Sequence, residues 1–312
     1  MDSRLPLTDC WYLVGPTAAG KTAVGVALAR RIGADILSLD SMAVYRGMDI
    51  GTAKPNVAER TLTPHHLLDL VAPNTDFSIA DYLAAAHQVA ADVRNRGREV
   101  LFVGGTPLYL KALLCGLAEG PEPDWESRHR LLAEAQAVGT EELHRRLAEV
   151  DPVAAAKLHP NDTRRIVRAL EVFQMTGRPI SGQQNHFRVE PSPTMCARVF
   201  VLDWPRPLLH ARINARVDAM FTAGFVAEVR GLLSSYDNLG RTASQAAGYR
   251  EVAEHLSGAL DLPTAIERTK ARTRQLARRQ LTWLRGLKGC RWIAVDEPLD
   301  PEAVVARIVL SA

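Results

Sequence analysis

Gly15-Pro16-Thr17-Ala18-Ala19-Gly20-Lys21-Thr22 spells G-x-x-x-x-G-K-T, and it follows the short apolar run Trp11-Tyr12-Leu13-Val14. The next stretch, Ala23 to Arg31, has helical composition. Strand, glycine-rich loop and helix in that order are the context a phosphate-binding loop (P-loop) requires. Successive backbone N–H groups and the positive end of the helix make a concave anion site. Lys21 adds a point charge, and the Thr22 hydroxyl is placed to hold Mg²⁺ beside two linked phosphates. The stretch reads as the seat of a di- or triphosphate. Kinases, other nucleotide-binding proteins that take ATP, and enzymes that expel diphosphate all use such a cradle, so the loop alone leaves the reaction open.

Outward from the loop, short apolar runs alternate with helical patterns: Ile36–Leu39, His66–Val71, Val100–Val103, Val199–Leu202 and Trp292–Val295. This alternation predicts an α/β fold, a P-loop core with a mostly parallel sheet covered by helices. A helix is expected from Ile79 to Arg96, begun by Ser78 with Asp81 three residues on and ended by Gly97. Ligands of open α/β sheets bind at the carboxyl ends of strands. The P-loop, Asp40-Ser41 and Gly104-Gly105-Thr106 are therefore expected to point into one crevice. From Leu117 to Thr194 the strand pattern disappears, between Pro121 and Pro123 at one end and Pro191 and Pro193 at the other. Helical segments fill it: Glu126–Val138, Glu141–Val150, Pro152–Leu158 and Thr163–Thr176, the last capped by Asp162. The expected division is a core over 1–116 and 195–312 with an all-helical insertion over 117–194. Gly182–Thr194 carries no assignable role.

Apolar content of 47% and charged content of 23% are those of an ordinary globular chain. Cys10, Cys115, Cys196 and Cys290 form no C-x-x-C pair, which argues against a disulfide framework or a cysteine zinc site and fits a reducing cytoplasm. No apolar stretch approaches the roughly 20 residues of a membrane span, so no membrane is expected. The net charge of +3 decides nothing, but its distribution is uneven. Arg268, Lys270, Arg272, Arg274, Arg278, Arg279, Arg285, Lys288 and Arg291 fall in one stretch without an intervening acid, and Arg164, Arg165, Arg168 and Arg178 form a second group. Such a field suits a polyanion, although a solvated helix face has the same composition.

Asp40, at the end of the second apolar run and facing the cradle, is placed to accept a proton from a group that attacks the bound ester. A magnesium ligand or a helix cap are its alternatives. Thr106 is placed to hydrogen-bond the acceptor, and the glycines before it let backbone approach a ligand. Arg212 and Arg216 lie one helical turn apart on one face and could meet phosphates. A small-molecule kinase and a nucleic-acid-modifying transferase both fit these residues.

Longer blocks narrow the choice. They are L-D-S-M-A-V-Y-R-G-M-D-I-G-T-A-K-P (Leu39–Pro55), H-H-L-L-D (His65–Asp69) and G-G-T-P-L-Y-L-K-A-L (Gly104–Leu113). H-P-N-D-T-R-R-I-V-R-A-L-E-V (His159–Val172), A-G-Y-R-E (Ala247–Glu251) and T-R-Q-L-A-R-R-Q-L-T-W-L-R (Thr273–Arg285) follow. With the P-loop they make the chain resemble the bacterial tRNA dimethylallyltransferase (tRNA isopentenyltransferase) family almost from end to end. The tail after Trp292 lacks the Cys and His of the zinc finger in eukaryotic relatives.

The resemblance implies transfer of a dimethylallyl group from dimethylallyl diphosphate to the exocyclic N6 of the adenosine 3′-adjacent to the anticodon of tRNA, with diphosphate released. It implies that Gly15, Pro16, Thr17, Ala18, Ala19, Gly20, Lys21, Thr22 and Arg216 bind the diphosphate, with Mg²⁺ on Thr22. Asp40 would take the N6 proton and Thr106 would position the adenine. Contacts to the tRNA anticodon stem-loop would fall on Asp40, Ser41, Met42 and Ala43, on Thr106 and Arg128, and on Arg164, Arg165, Ile166, Val167 and Arg168. The last group would be Gln245, Ala246, Ala247, Gly248, Tyr249 and Arg250. A cytoplasmic monomer is expected.

Overall fold

The structure, a computed structural model, describes residues 5–118, 121, 123–182, 187–236 and 238–312. Its sheet contains β1 (Trp11–Val14), β2 (Ala34–Leu39), β3 (His65–His66), β4 (Glu99–Gly104), β5 (Val199–Asp203) and β6 (Arg291–Ala294). They lie in the order β3-β2-β4-β1-β5-β6 and every pair is parallel. All of β2 is buried, as a parallel strand covered on both faces should be. The expected α/β core is present.

Helix α1 (Lys21–Ile32) follows β1 directly, and α2 (Val57–Leu62), α3 (Ile79–Asn95) and α4 (Pro107–Cys115) lead to the end of the first core segment. The Ser78–Asp81 capping box that starts α3 is formed as its spacing predicts. At the other end of β2 from the P-loop, Asp35 is wholly buried and bonded to Arg98 at 2.5 Å, Arg96 at 2.9 Å and His66 at 3.0 Å. Burial pushes its carboxyl up, but hydrogen bonds from His66, Arg98 and Arg96 prevail and hold it below the ordinary carboxylate range.

The chain divides into two compact units, Met1–Gly116 with Glu190–Ala312, and Leu117–Val189. Glu190–Thr194 thus groups with the core, five residues short of the boundary read from Pro191 and Pro193. The second unit is helical: α5 (Trp125–Val138), α6 (Thr140–Val150), α7 (Pro152–Lys157) and α8 (Thr163–Thr176). Its core joins Leu131, Leu143, Leu147, Ile166 and Val167. Within it, the buried Glu171 accepts from Arg128 Nε at 2.8 Å, Arg168 Nη1 at 2.9 Å and the Asp124 N–H at 2.8 Å.

The core resumes with α9 (Arg206–Thr222), α10 (Phe225–Ser235), α11 (Tyr249–Leu256), α12 (Leu262–Arg285) and α13 (Pro301–Ser311). Among the described residues, no helix is long and apolar enough to cross a membrane. The run His66–Val71 departs from its reading as a strand, because only His65–His66 pairs with β2. Leu67 and Asp69 adopt left-handed backbone, with φ of 61° and 57°. Asp69 N–H donates to Ala43 O and Val71 N–H to Val44 O, each at 3.1 Å, so the segment pairs with the 43–46 turn instead. The Asp69 carboxylate meanwhile accepts from Lys54 at 2.6 Å and Arg60 at 3.2 Å.

Phe225 seals a second cluster. It meets Tyr249 edge-on with centroids 5.0 Å apart, and Gly51 and Gly248 have no room for a β-carbon against it. Phe225→Ala should lower stability by about 3–5 kcal/mol. A shifted denaturant midpoint at constant m would register the loss.

Candidate functional site

The P-loop is held by its carbonyls. Lys21 Nζ donates to Gly15 O at 3.1 Å and Pro16 O at 2.7 Å. Arg212 Nε donates to Ala18 O and the Trp204 indole N–H to Ala19 O, both at 3.0 Å. Ala18 is left-handed at φ 63° and Gly20 at 81°, and a β-carbon on Gly20 would collide with Leu299. Gly20 precedes α1 and has no side chain with which to cap it, so the first-turn amides remain the natural partners of an anion. Arg212, read beside Arg216 as a possible phosphate ligand, is instead committed to the loop. It stacks over Trp204 at 4.3 Å and pairs with Glu297 at 2.7 Å.

Register brings the acceptor side level with this cradle. Leu39 pairs with Gly104, and Gly104 with Val14, so three loops leave neighbouring strands together. Leu39 O accepts the N–H groups of both Gly105 and Thr106 at 3.1 Å. Thr106 Oγ1 accepts from the Ser41 N–H at 3.0 Å, and Asp40 Oδ1 accepts from the Met42 N–H at 2.8 Å. Below them Tyr82 donates to Ser38 O at 2.9 Å and stacks on Tyr109.

Lys21, Arg216 and Asp40 share one field. Burial and the neighbouring Arg216 push the Lys21 amine down to about 7, against the opposing pull of Asp40. Burial likewise lowers Arg216, again opposed by Asp40. Two cations sharing one carboxylate make a pocket short of negative charge, which suits an anion. For Mg²⁺ the donor set is the half-buried Thr22 hydroxyl. Among the described residues, no group of three or more His, Cys, Asp or Glu side chains is gathered to hold a metal. A magnesium ion fits here with one protein oxygen and the remainder from phosphate and water, its usual manner of binding.

The other residues carried by the resemblance divide by exposure. Arg164, Arg165, Gln245 and Arg250 are exposed, Ser41, Met42 and Ala247 half-buried. Ile166, Val167, Ala43, Ala246 and Tyr249 are buried, which leaves their side chains to packing rather than to a partner. Gly248 is buried as well. Arg128 and Arg168 are engaged by Glu171. The cations of α12 are partly discharged by acids of other elements: Lys270 by Asp218, Arg272 by Glu251 and Arg268 by Glu254. Arg206, His210, Arg274, Arg278 and Arg285 line a groove of about 740 Å³.

Sequence reasoning missed two supports. Glu228 accepts the N–H groups of Asp49, Ile50 and Gly51 and the Tyr249 hydroxyl, at 2.6–3.2 Å. It thereby shapes the turn whose Thr52 carbonyl meets Arg216 at 3.5 Å. Gln280 touches the P-loop itself, accepting the Thr17 N–H at 2.9 Å. Its one visible signal is a polar residue on the buried stripe of α12.

A parallel sheet with this loop on a central strand, and a carboxylate level with it one strand beyond its neighbour, defines a P-loop enzyme built for a phosphate ester. Residues 43–287 match the IPP transferase family, and residues 8–72 match the isopentenyl transferase family. The tRNA dimethylallyltransferase of Geobacter metallireducens is 49% identical, covering 92% of each chain. That of Syntrophobacter fumaroxidans is 46% identical over 95% of this chain and 86% of its own. Among solved structures, the tRNA isopentenylpyrophosphate transferase of Bacillus halodurans superposes with a TM-score of 0.67 at 37% identity, covering 96% of this chain and 95% of that one. A eukaryotic dimethylallyltransferase acting on tRNA gives 0.73 at 26%, covering 91% and 73%. The chain belongs to the tRNA dimethylallyltransferase family.

Raising the pH through about 7 strips the Lys21 charge from the loop. Lys21→Arg keeps its charge throughout. The Kd for inorganic diphosphate of the unchanged chain should therefore rise relative to that of Lys21→Arg by up to about tenfold per pH unit above that point. Titration calorimetry of both proteins cancels the ligand's own ionisation, and parallel curves would refute the assignment.

Proposed function

We propose that this chain transfers a dimethylallyl group from dimethylallyl diphosphate to N6 of the adenosine 3′-adjacent to the anticodon in tRNA. The observation that carries this reading is that the cradle after β1 and Asp40 after β2 leave the sheet at one level, with only β4 between them. The exocyclic amine is a weak nucleophile because its lone pair is delocalised into the purine. As N6 bonds to the allylic carbon, the carbon–oxygen bond to diphosphate breaks and the N6 proton passes to Asp40. Thr106 holds the adenine at that carboxylate. The first-turn amides of α1, Lys21 and Arg216 stabilise the departing diphosphate. Mg²⁺ on the Thr22 hydroxyl would add positive charge at the leaving group.

The target base leaves its stack at a cost of a few kcal/mol, and arginine contacts to the tRNA backbone offset this and make binding salt-dependent. Arg164, Arg165, Gln245 and Arg250 are exposed for such contacts, Arg250 from a surface pair with Glu254 and Arg165 from one with Asp162, whereas Arg128 and Arg168 would first have to leave the buried Glu171. The basic groove along α12 suits the same polyanion. We read the protein as a monomer working on the tRNA anticodon stem-loop in the cytoplasm.

With Mg²⁺ and dimethylallyl diphosphate, the protein should add one C5 unit to unmodified tRNA carrying that adenosine. Mass spectrometry of the RNA checks this, and ATP in place of the prenyl donor should give no product. Asp40→Ala should lower turnover by roughly 10²–10⁴-fold while tRNA affinity changes little. Lost tRNA binding with unchanged chemistry would exclude Asp40 as the base.

A further inference from the structure

Gln280 sits on the buried face of α12, 8% exposed, and uses both ends of its amide. Oε1 accepts the Thr17 N–H at 2.9 Å and Nε2 donates to Gly105 O at 2.6 Å. The partners fix its orientation, since a backbone N–H only donates and a carbonyl only accepts. Gly105 is fitted to it, because a β-carbon there would lie 2.6 Å from Nε2.

On the Gly105 side the bonds continue. Gly105 is followed by Thr106, which holds the Ser41 N–H, and Ser41 is followed by Met42, whose N–H holds Asp40. One side chain therefore spans the donor loop and the backbone that carries the acceptor residues. We propose that Gln280 is a positioning residue for prenyl transfer, setting the separation between the diphosphate cradle and the Asp40–Thr106 shelf.

The chemistry of the amide makes this specific. Leucine or methionine fills the volume but braces neither side. Asparagine is one methylene too short to reach both. Ionised glutamate keeps the Thr17 bond but turns a second acceptor toward Gly105 O. Protonated glutamate restores the missing donor, so it reproduces the amide in one protonation state only.

This inference rests on the transferase reading, and the unchanged chain serves as the control for that reading. If the unchanged chain forms no prenylated tRNA, the reading fails and the inference with it. If it is active, the full-length Gln280→Met and Gln280→Glu proteins decide the inference alone. A misplacement of about 1 Å lowers turnover on the order of 10²-fold. Gln280→Met should therefore lose about 10–100-fold in kcat, with the Kd for inorganic diphosphate within a few-fold of the unchanged chain. The kcat of Gln280→Glu, divided by that of the unchanged chain at each pH, should recover as the pH falls and the glutamate takes up its proton.

A circular-dichroism melt of each variant confirms that the assay temperature lies below the transition. Lowered melting temperatures with unchanged kcat would make Gln280 merely structural and overturn the proposal. A raised diphosphate Kd with unchanged kcat would place it in donor binding and overturn it equally.

Discussion

Gly104 lies so close to β2 that a β-carbon there would collide with the Leu39 carbonyl. That contact makes the rest of the arrangement possible. It lets β2 and β4 keep parallel register to their last residues, with Leu39, Gly104 and Val14 abreast. It also leaves the Leu39 carbonyl free to take the next two amides of the β4 loop. Any larger residue would part the strands between the P-loop and Asp40, and alignment near 3 Å is what intramolecular catalysis requires.

The electrostatic design follows from the same closeness. Lys21 and Arg216 are both driven toward neutrality by burial, and Asp40 alone counters them. Such a site is poorly balanced until an anion enters, and its differential affinity favours whatever state carries most negative charge. In the proposed allylic substitution that state is the separating diphosphate, for which preorganised charge would act at the transition state more than in the ground state. The carbonyl anchors on the loop serve this end, since turning the C=O groups toward Lys21, Arg212 and Trp204 leaves first-turn N–H groups to face the ligand.

Much of this was legible in the sequence, where a short-range rule operates. The run Trp11–Val14, the loop and the following helix formed as read, because each is fixed within a few residues. The Ser78 and Asp162 caps likewise depend on neighbours three residues away. Readings failed where a distant partner decides. His66–Val71 has strand composition, yet Lys54 and the 43–46 turn draw Asp69 into left-handed backbone. The nine cations near α12 looked uncompensated because Asp218, Glu251 and Glu254 lie outside that stretch. Arg212 and Arg216 looked equivalent on one helix face, and only Trp204, Ala18 and Glu297 separate them. Gln280 showed only as a polar residue on the buried stripe of α12, and its role stayed hidden for the same reason, since its partners lie 263 and 175 residues away.

Those separations bear on the order in which the molecule is made. The nucleus of the cradle is encoded within the first two dozen residues, yet its braces are Trp204, Arg212, Gln280 and Leu299. During synthesis the N-terminal strand and helix leave the ribosome long before those braces exist, and contacts of such high sequence separation form slowly. The nascent chain therefore carries an unfinished anion-binding loop for as long as those residues are unmade, and the loop acquires its working shape only when Trp204, Arg212, Gln280 and Leu299 dock.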